Sequence, residues 1–218
     1  MSLTLLMHPL SSFCQKTLIA LYENDIPFET KVIHLEDAAS RSELTALWPL
    51  GKFPVLKDEQ QNRETRIVPE TSVIIEYLQH YYPGKSKLIS DDFEIRSKAQ
   101  LADRIYDLYV NVPVGKIVTD KFRPAGKNDS QGVEEAKALI ATAYAVIDKD
   151  MAHRTWAAGE EFTIADCAAA PALFFANKIM PLKNICKNGA AYFSRLSERP
   201  SVARAFAQAA PYLHMFPG

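Results

Sequence analysis

Hydrophobic positions change period several times along the chain, and each change marks an element. Leu3–Met7 is an unbroken apolar run of strand length, closed by His8-Pro9. Phe13, Leu18, Ile19 and Tyr22 then recur at helical spacing, with Ser11 or Ser12 as the helix start, and the pattern fades before Asp25-Ile26-Pro27. Glu29–Leu35 alternates as a second strand, and Ser42–Leu47 predicts a short helix. Phe53–Lys57 and Thr65–Val68 read as strands around a polar turn, Asp58–Asn62. Thr71–Tyr81 predicts a helix with Val73, Ile74, Tyr77, Leu78 and Tyr81 on its inner side. The order β-α-β-α-β-β-α is a βαβ unit followed by a hairpin and a helix, the thioredoxin-like arrangement.

Beyond Tyr82-Pro83-Gly84-Lys85-Ser86, where proline and glycine stop a helix, the strand signals vanish. Phe93–Thr119 predicts one long helix or two, bent at Pro113, followed by helices at Gln131–Met151, Phe162–Asn177, Ala190–Glu198 and Ser201–Gln208. The polar stretch Lys121–Ser130 reads as a surface loop. Alanine usage supports the division: 4 alanines fall in residues 1–80 and 24 in residues 81–218. Alanine is the strongest helix former and is depleted in strands. The predicted organisation is therefore a thioredoxin-like α/β domain over 1–82, a linker over 83–90 and an all-α helical bundle over 91–218.

Composition narrows the function classes. A hydrophobic fraction of 48% and a charged fraction of 23% suit a packed globular core. The net charge of −1, from 25 basic and 26 acidic residues, gives no footprint for nucleic acid or an anionic membrane. No run of about 18 apolar residues is present, the length a bilayer span needs. Met1–His8 carries no basic leader and is not expected to act as a signal peptide. Cys14, Cys167 and Cys186 are too few and too scattered for a disulfide framework or a zinc site. The five histidines, at 8, 34, 80, 153 and 214, show no ligand spacing, so no metal is expected and they read as structural or exposed. A globular cytoplasmic protein is the expectation.

Three turns of the first domain carry candidate chemistry. Ser11-Ser12-Phe13-Cys14 stands where the first strand enters the first helix, the place a C-x-x-C pair would occupy. Serine cannot form a disulfide, but at a helix N-terminus its hydroxyl can donate to a ligand thiolate that the helix dipole also favours. In Gly51-Lys52-Phe53-Pro54-Val55 a cis proline would free the backbone of Phe53 to pair with an extended peptide-like ligand. In Pro69-Glu70-Thr71-Ser72 the helix N-terminus and a hydroxyl can receive a carboxylate while Glu70 holds an ammonium group. Taken singly, each turn also has a purely structural reading: two helix caps and a trans proline opening a strand. Taken in order on one domain, they describe a site for a small thiol peptide.

With those residues in place, the chain resembles the cytosolic glutathione transferases, nearest to the serine-type theta and zeta classes and their bacterial relatives. Leu10–Lys16, Asn24–Glu29, Pro49–Leu56 and Glu70–Leu78 carry the likeness in the first domain, and Phe162-Thr163-Ile164-Ala165-Asp166 matches the family's capping box and staple in the second. The resemblance implies that Ser11, with Ser12 as fallback, hydrogen-bonds the glutathione thiolate. It implies that the Phe53 backbone before cis Pro54 pairs with the glutathione cysteine, that Lys52 meets the glycine end, and that Glu70 and Thr71 grip the γ-glutamyl head. Cys14 departs from the pattern and raises a thiol-transfer alternative through mixed disulfides. Leu10, and with less weight than a packing role Tyr106 and Tyr109, would line the pocket for a hydrophobic electrophile. Thr163 and Asp166 read as a capping box with no part in chemistry. Glutathione is the implied co-substrate and a homodimer the implied assembly, its interface setting the first domain of one chain against the long helices of the other. A glutathione-dependent isomerase of the maleylacetoacetate type and a non-catalytic binding scaffold are the competing readings.

Overall fold

The computed structural model describes residues 2–59 and 64–217. A four-stranded mixed sheet opens the chain, with β1 (Ser2–Met7), β2 (Glu29–Val32), β3 (Val55–Glu59) and β4 (Arg66–Pro69) in the spatial order β2-β1-β3-β4. β1 runs parallel to β2, with Thr4 opposite Glu29, and antiparallel to β3, with Leu5 opposite Leu56. α1 (Ser12–Glu23), α2 (Ala38–Leu47) and α3 (Thr71–Tyr81) complete the thioredoxin-like domain. The helical domain follows as α4 (Phe93–Arg104), a π-helical segment (Ile105–Asn111), α5 (Val112–Asp120), α6 (Ser130–Met151), α7 (Ile164–Ile179), α8 (Leu182–Ile185), α9 (Lys187–Glu198) and α10 (Pro200–Ala209). A 3₁₀ segment, Ala210–Met215, closes the chain.

Several boundaries differ from the sequence reading, each for a local reason. α2 starts four residues early because the Asp37 carboxylate accepts from the Ala39 and Ser40 N–H groups at 3.4 and 2.8 Å. β2 stops at Val32, and β3 starts at Val55, the last residue paired with β1, opposite Leu6. Asp58 and Glu59 continue β3 instead of forming the turn, and the rest of that turn, residues 60–62, lies outside the described residues. α3 buries Ile74, Ile75 and Leu78, whereas Val73 and Tyr81 face out. The stretch read as one or two helices runs as three consecutive helical segments with Pro113 in the first turn of α5, and the wider π turn shifts the faces of the helix that follows. α8 and the 3₁₀ segment are too short to announce themselves by periodicity.

The core does not respect the domain division. One apolar cluster runs from Leu3, Leu5 and Met7 on the sheet, through Leu18 and Ile19 on α1, into Ala165, Ala168, Ala169, Ala172 and Leu173 on α7. α7 is buried on all sides, and its alanines let α1 and α4 approach closely. A smaller cluster, Leu6, Ile33, Leu44 and Val55, lies under α2. Glu23 at the end of α1 ties the domains together polarly, accepting from Arg199 Nε and Nη2 at 2.7 Å each and from the Ser201 hydroxyl.

Asp166 anchors α7. Its carboxylate accepts from Thr163 N–H at 2.8 Å and Thr163 Oγ1 at 3.1 Å, the reciprocal capping box that the sequence pattern implied. It also takes the Ala157 N–H at 2.8 Å and the Tyr192 hydroxyl at 2.6 Å, all in a fully buried setting. Asp166→Ala strands these donors, each worth about 1–3 kcal/mol when buried unpaired. We expect a loss of about 3–5 kcal/mol in denaturant unfolding, with the chemistry of the fraction that folds retained.

Candidate active site

The site is assembled where three turns of the first domain meet the helical domain. β1 ends at Met7 and the chain turns through His8-Pro9-Leu10, with the Ser11 N–H donating to the His8 carbonyl at 2.9 Å. Ser11 then caps α1: its carbonyl accepts from Gln15 N–H at 2.9 Å and its hydroxyl from Cys14 N–H at 3.3 Å. That hydroxyl stands at the positive end of α1, where it can also donate to an acceptor in the cavity. Ser12 is the first helical residue and, like Ser11, faces the cavity between the domains.

Cys14 points the other way. It is fully buried, and burial pushes its thiol up to about 12, against the hydrogen bonds from Ser11 and the turn. Only the thiolate is nucleophilic, so this side chain belongs to the core beneath α1.

Phe53-Pro54 is the one cis peptide bond among the described residues. The β1–β3 ladder ends at Leu6 opposite Val55, which leaves Phe53 beyond the last paired residue. Glu70, between β4 and α3, holds φ at +69°, a region a side chain occupies only when its surroundings impose it. No side chain caps the first-turn amides of α3. Phe13, Lys52, Phe53, Pro54, Glu70 and Thr71 line one small cleft of about 120 Å³. The glutathione-site residues named from the sequence, drawn from two distant segments, thus share one wall with α1.

Ser72, the other hydroxyl of the Pro69–Ser72 turn, is engaged elsewhere. It accepts from Lys16 Nζ and Arg104 Nη2 at 2.9 Å each and donates to Asp103 Oδ2 at 3.0 Å. Lys16 is 1% exposed, with its ammonium 2.5 Å from Asp103 and 2.8 Å from Asp107. Burial, helped by the Asp103 charge, pushes the Asp107 carboxyl above its ordinary range despite Lys16 and Arg104. This cluster pins the start of α3 to α1 and to the helical domain.

A larger cavity, about 420 Å³, opens on the other side of Phe13 and Phe53. Its first-domain wall is His8, Leu10, Ser11, Ser12 and Leu35; its far wall is Asn111, Val114, Gly115, Val118 and Phe122, with Phe216 at the C-terminal end. Gly115 has no atom within 4 Å of the position a Cβ would take. Leu10 lines the cavity as expected, but Tyr106 and Tyr109 do not. Tyr106 is buried in the core and Tyr109 lies half exposed on the outside, because the π-helical segment shifts the cavity face to the stripe 111, 114, 115, 118, 122. The helical spacing of that stripe was visible in the sequence, whereas the closing role of Phe216 had no local signal. His8, read as structural, also lines the cavity, with its ring stacked on Phe53.

Among the described residues no cluster of His, Cys, Asp or Glu could hold a metal ion, and no helix is long and apolar enough to cross a membrane. Two family models match: glutathione S-transferase, N-terminal domain, over residues 5–86, and glutathione S-transferase, C-terminal domain, over residues 130–213. A glutathione S-transferase of Pseudomonas putida is 29% identical over 157 residues, 72% of this chain and 66% of its own length. The Escherichia coli glutathione S-transferase GstB is 24% identical over 89% of this chain and 92% of its own. The crystal structure of a Methylobacillus flagellatus glutathione S-transferase with glutathione bound superposes with a TM-score of 0.83 at 25% identity, covering 94% of this chain and 98% of that one.

All three cysteines are buried, and burial raises the thiol of each. Native protein at pH 8 should therefore show no rapid reaction with Ellman's reagent, and three thiols after denaturation in guanidinium. One fast-reacting thiol that disappears in Cys14→Ser would return that residue to the chemistry.

Proposed function

The chain belongs to the glutathione S-transferase family, and we propose that it binds glutathione in the cleft between Lys52 and Thr71 and directs its thiolate into the apolar cavity at the N-terminus of α1. The carrying observation is one of assembly. Phe13, Lys52, Phe53, Pro54, Glu70 and Thr71 share a cleft, and across Phe13 lie Ser11, Ser12 and a hydrophobic pocket. Each part has a task. The Phe53 backbone pairs with the cysteine of the tripeptide, as a strand edge pairs with an extended peptide. The uncapped amides of α3 and the Thr71 hydroxyl take the γ-glutamyl carboxylate, Glu70 takes its ammonium group, and Lys52 meets the glycine carboxylate.

The Ser11 hydroxyl and the α1 terminus then favour the thiolate over the thiol. One hydrogen bond to a charged group contributes about 1.5–3 kcal/mol, roughly one to two pKa units of a thiol whose free value is near 8.5. Held beside a bound electrophile, that thiolate attacks without the entropic cost of an encounter in solution. Ser12, the next residue on the cavity wall, is the fallback for this role. The serine-type reading, with its theta- and zeta-like affinities, rests on this turn. Burial of Cys14 removes support from the thiol-transfer alternative.

An apolar row on the outer face of the helical domain supports a homodimer: Phe93 and Leu101 on α4, Leu108 and Tyr109 on the π-helical segment and Val112 on α5 are all exposed. Val73 on α3 lies exposed on the first domain. Sedimentation equilibrium should give twice the 24.4 kDa chain mass, shifting toward one chain in Leu101→Glu. Three unpaired cysteines support a reducing, cytoplasmic setting.

The direct test is thiolate absorbance of bound glutathione against pH. In wild type the midpoint should lie one to two units below the free value, and in Ser11→Ala it should relax toward it, with kcat/KM falling about 10- to 100-fold and glutathione affinity nearly kept. An unshifted midpoint in wild type would favour a binding scaffold, and loss of the shift only in Ser12→Ala would move the role by one residue.

A further inference from the structure

The cleft assigned to glutathione is small, about 120 Å³, and a further cavity of about 520 Å³ adjoins it. The two share Phe13, Glu70 and Thr71, and the further one continues past them between Ser72 on α3 and Gln100, Arg104 and Leu108 on the helical domain. Glutathione does not account for this space. In the reading given above, the tripeptide ends at its γ-glutamyl nitrogen, on Glu70, at the junction of the two cavities.

Arg104 gives the further cavity its chemistry. Its Nη2 donates to Ser72 Oγ at 2.9 Å, to Asp103 Oδ2 at 2.6 Å and to Asp107 Oδ2 at 2.8 Å, and its Nε donates to Asp103 Oδ2 at 3.3 Å. Both aspartates are buried, whereas the Arg104 side chain is 47% exposed. Four bonds thus fix one edge of a guanidinium whose remaining group, Nη1, bonds to no described residue. A guanidinium already held in one geometry loses little further freedom on taking an anion. Lys16 also bonds both aspartates, so two positive groups balance two negative ones in this cluster. A carboxylate arriving at Nη1 therefore meets no unbalanced aspartate.

Resting on the glutathione reading of the smaller cleft, we propose that the further cavity is a subsite for an acyl extension on the γ-glutamyl nitrogen, one that ends in a carboxylate held by Arg104. The ligand class is a thiol tripeptide N-acylated by an acidic chain. Acylation replaces the ammonium group by an amide, whose N–H Glu70 still accepts. The acyl chain crosses the junction beside Thr71, and its carboxylate takes a charge-assisted hydrogen bond from Nη1. The thiol keeps its place at the α1 terminus, because the extension leaves the opposite end of the peptide.

The test uses two peptides of equal size. N-succinylglutathione carries the terminal carboxylate, and N-succinamoylglutathione carries a neutral amide in its place. Both, and glutathione alone, are titrated calorimetrically into wild type and Arg104→Gln. Wild type should prefer the succinyl peptide to its amide by about tenfold, the worth of one charge-assisted hydrogen bond at a half-exposed site. That preference should shrink to within about twofold in Arg104→Gln. Equal weakening of all three ligands in Arg104→Gln would mean that Arg104 only braces the cluster, and overturns the assignment. So does a preference that survives the substitution. Val73 and Leu108 on the rim belong to the apolar face assigned above to a second copy. If that copy fills the cavity, glutathione binds and neither extended peptide does, which also overturns the subsite. Should Arg104→Gln not fold, Gln100→Trp narrows the cavity from its exposed side. It should weaken the succinyl peptide about tenfold and glutathione less than twofold, and unchanged binding of the succinyl peptide counts against the subsite. Absence of binding by glutathione itself is a different result: it removes the transferase reading, and this assignment with it.

Discussion

Burying the ammonium of Lys16 is the constraint on which the cleft is built. A lone charge in an apolar core is strongly unfavourable, and it persists only with partners arranged around it. Here the partners come from different parts of the chain: Ser72 opens α3, Asp103 lies near the end of α4, and Asp107 lies in the π-helical segment. Arg104 seals the cluster from outside, bridging both aspartates. Two positive and two negative side chains are thus fixed in one geometry, and none can be withdrawn singly without leaving an uncompensated charge.

That geometry reaches directly into the chemistry. Lys16 lies one turn along α1 from the Ser11 cap, and Ser72 is the second residue of α3, next to Thr71 on the cleft wall. Holding Lys16 to Ser72 therefore sets the separation between the start of α1 and the start of α3. The shared apolar core does the same on a larger scale, because α1 packs on α7 and α10 as well as on α3. The site is made of turns, and two of the three are ends of helices clamped to the second domain.

Much of this architecture could be read in the chain before any coordinates. Strand and helix order in the first domain followed from period changes, and Thr71–Tyr81 matched to the residue because proline precedes it and proline follows it. The cleft residues Lys52, Phe53, Pro54, Glu70 and Thr71 were nameable because glycine, proline and acid-hydroxyl pairs have few uses at such turns. What could not be read depended on long-range packing. A seven-residue π-helical segment has no sequence pattern separating it from α-helix, so the tyrosine positions 106 and 109 were assigned to a face that the folded helix turns elsewhere. The role of Phe216 arises from a segment that folds back on the first domain, and His8 gains its cavity position only through the β1–α1 turn. Cys14 looked reactive by spacing, and only the depth of α1 in the core shows otherwise.

Gly115 stands in the middle of this arrangement as a cost the helix carries without structural return. A glycine inside a helix is about 1 kcal/mol less favourable than alanine, and no neighbouring atom requires its small size. What its bareness leaves is room in the cavity, at a backbone position compatible with any ordinary side chain. The volume of the pocket and the firmness of α5 are therefore set against each other at one codon. A chain drifting toward alanine, serine or valine there would gain helix and lose space in graded steps. Such a position lets relatives on one scaffold part company in what they accept while the fold beneath stays unaltered.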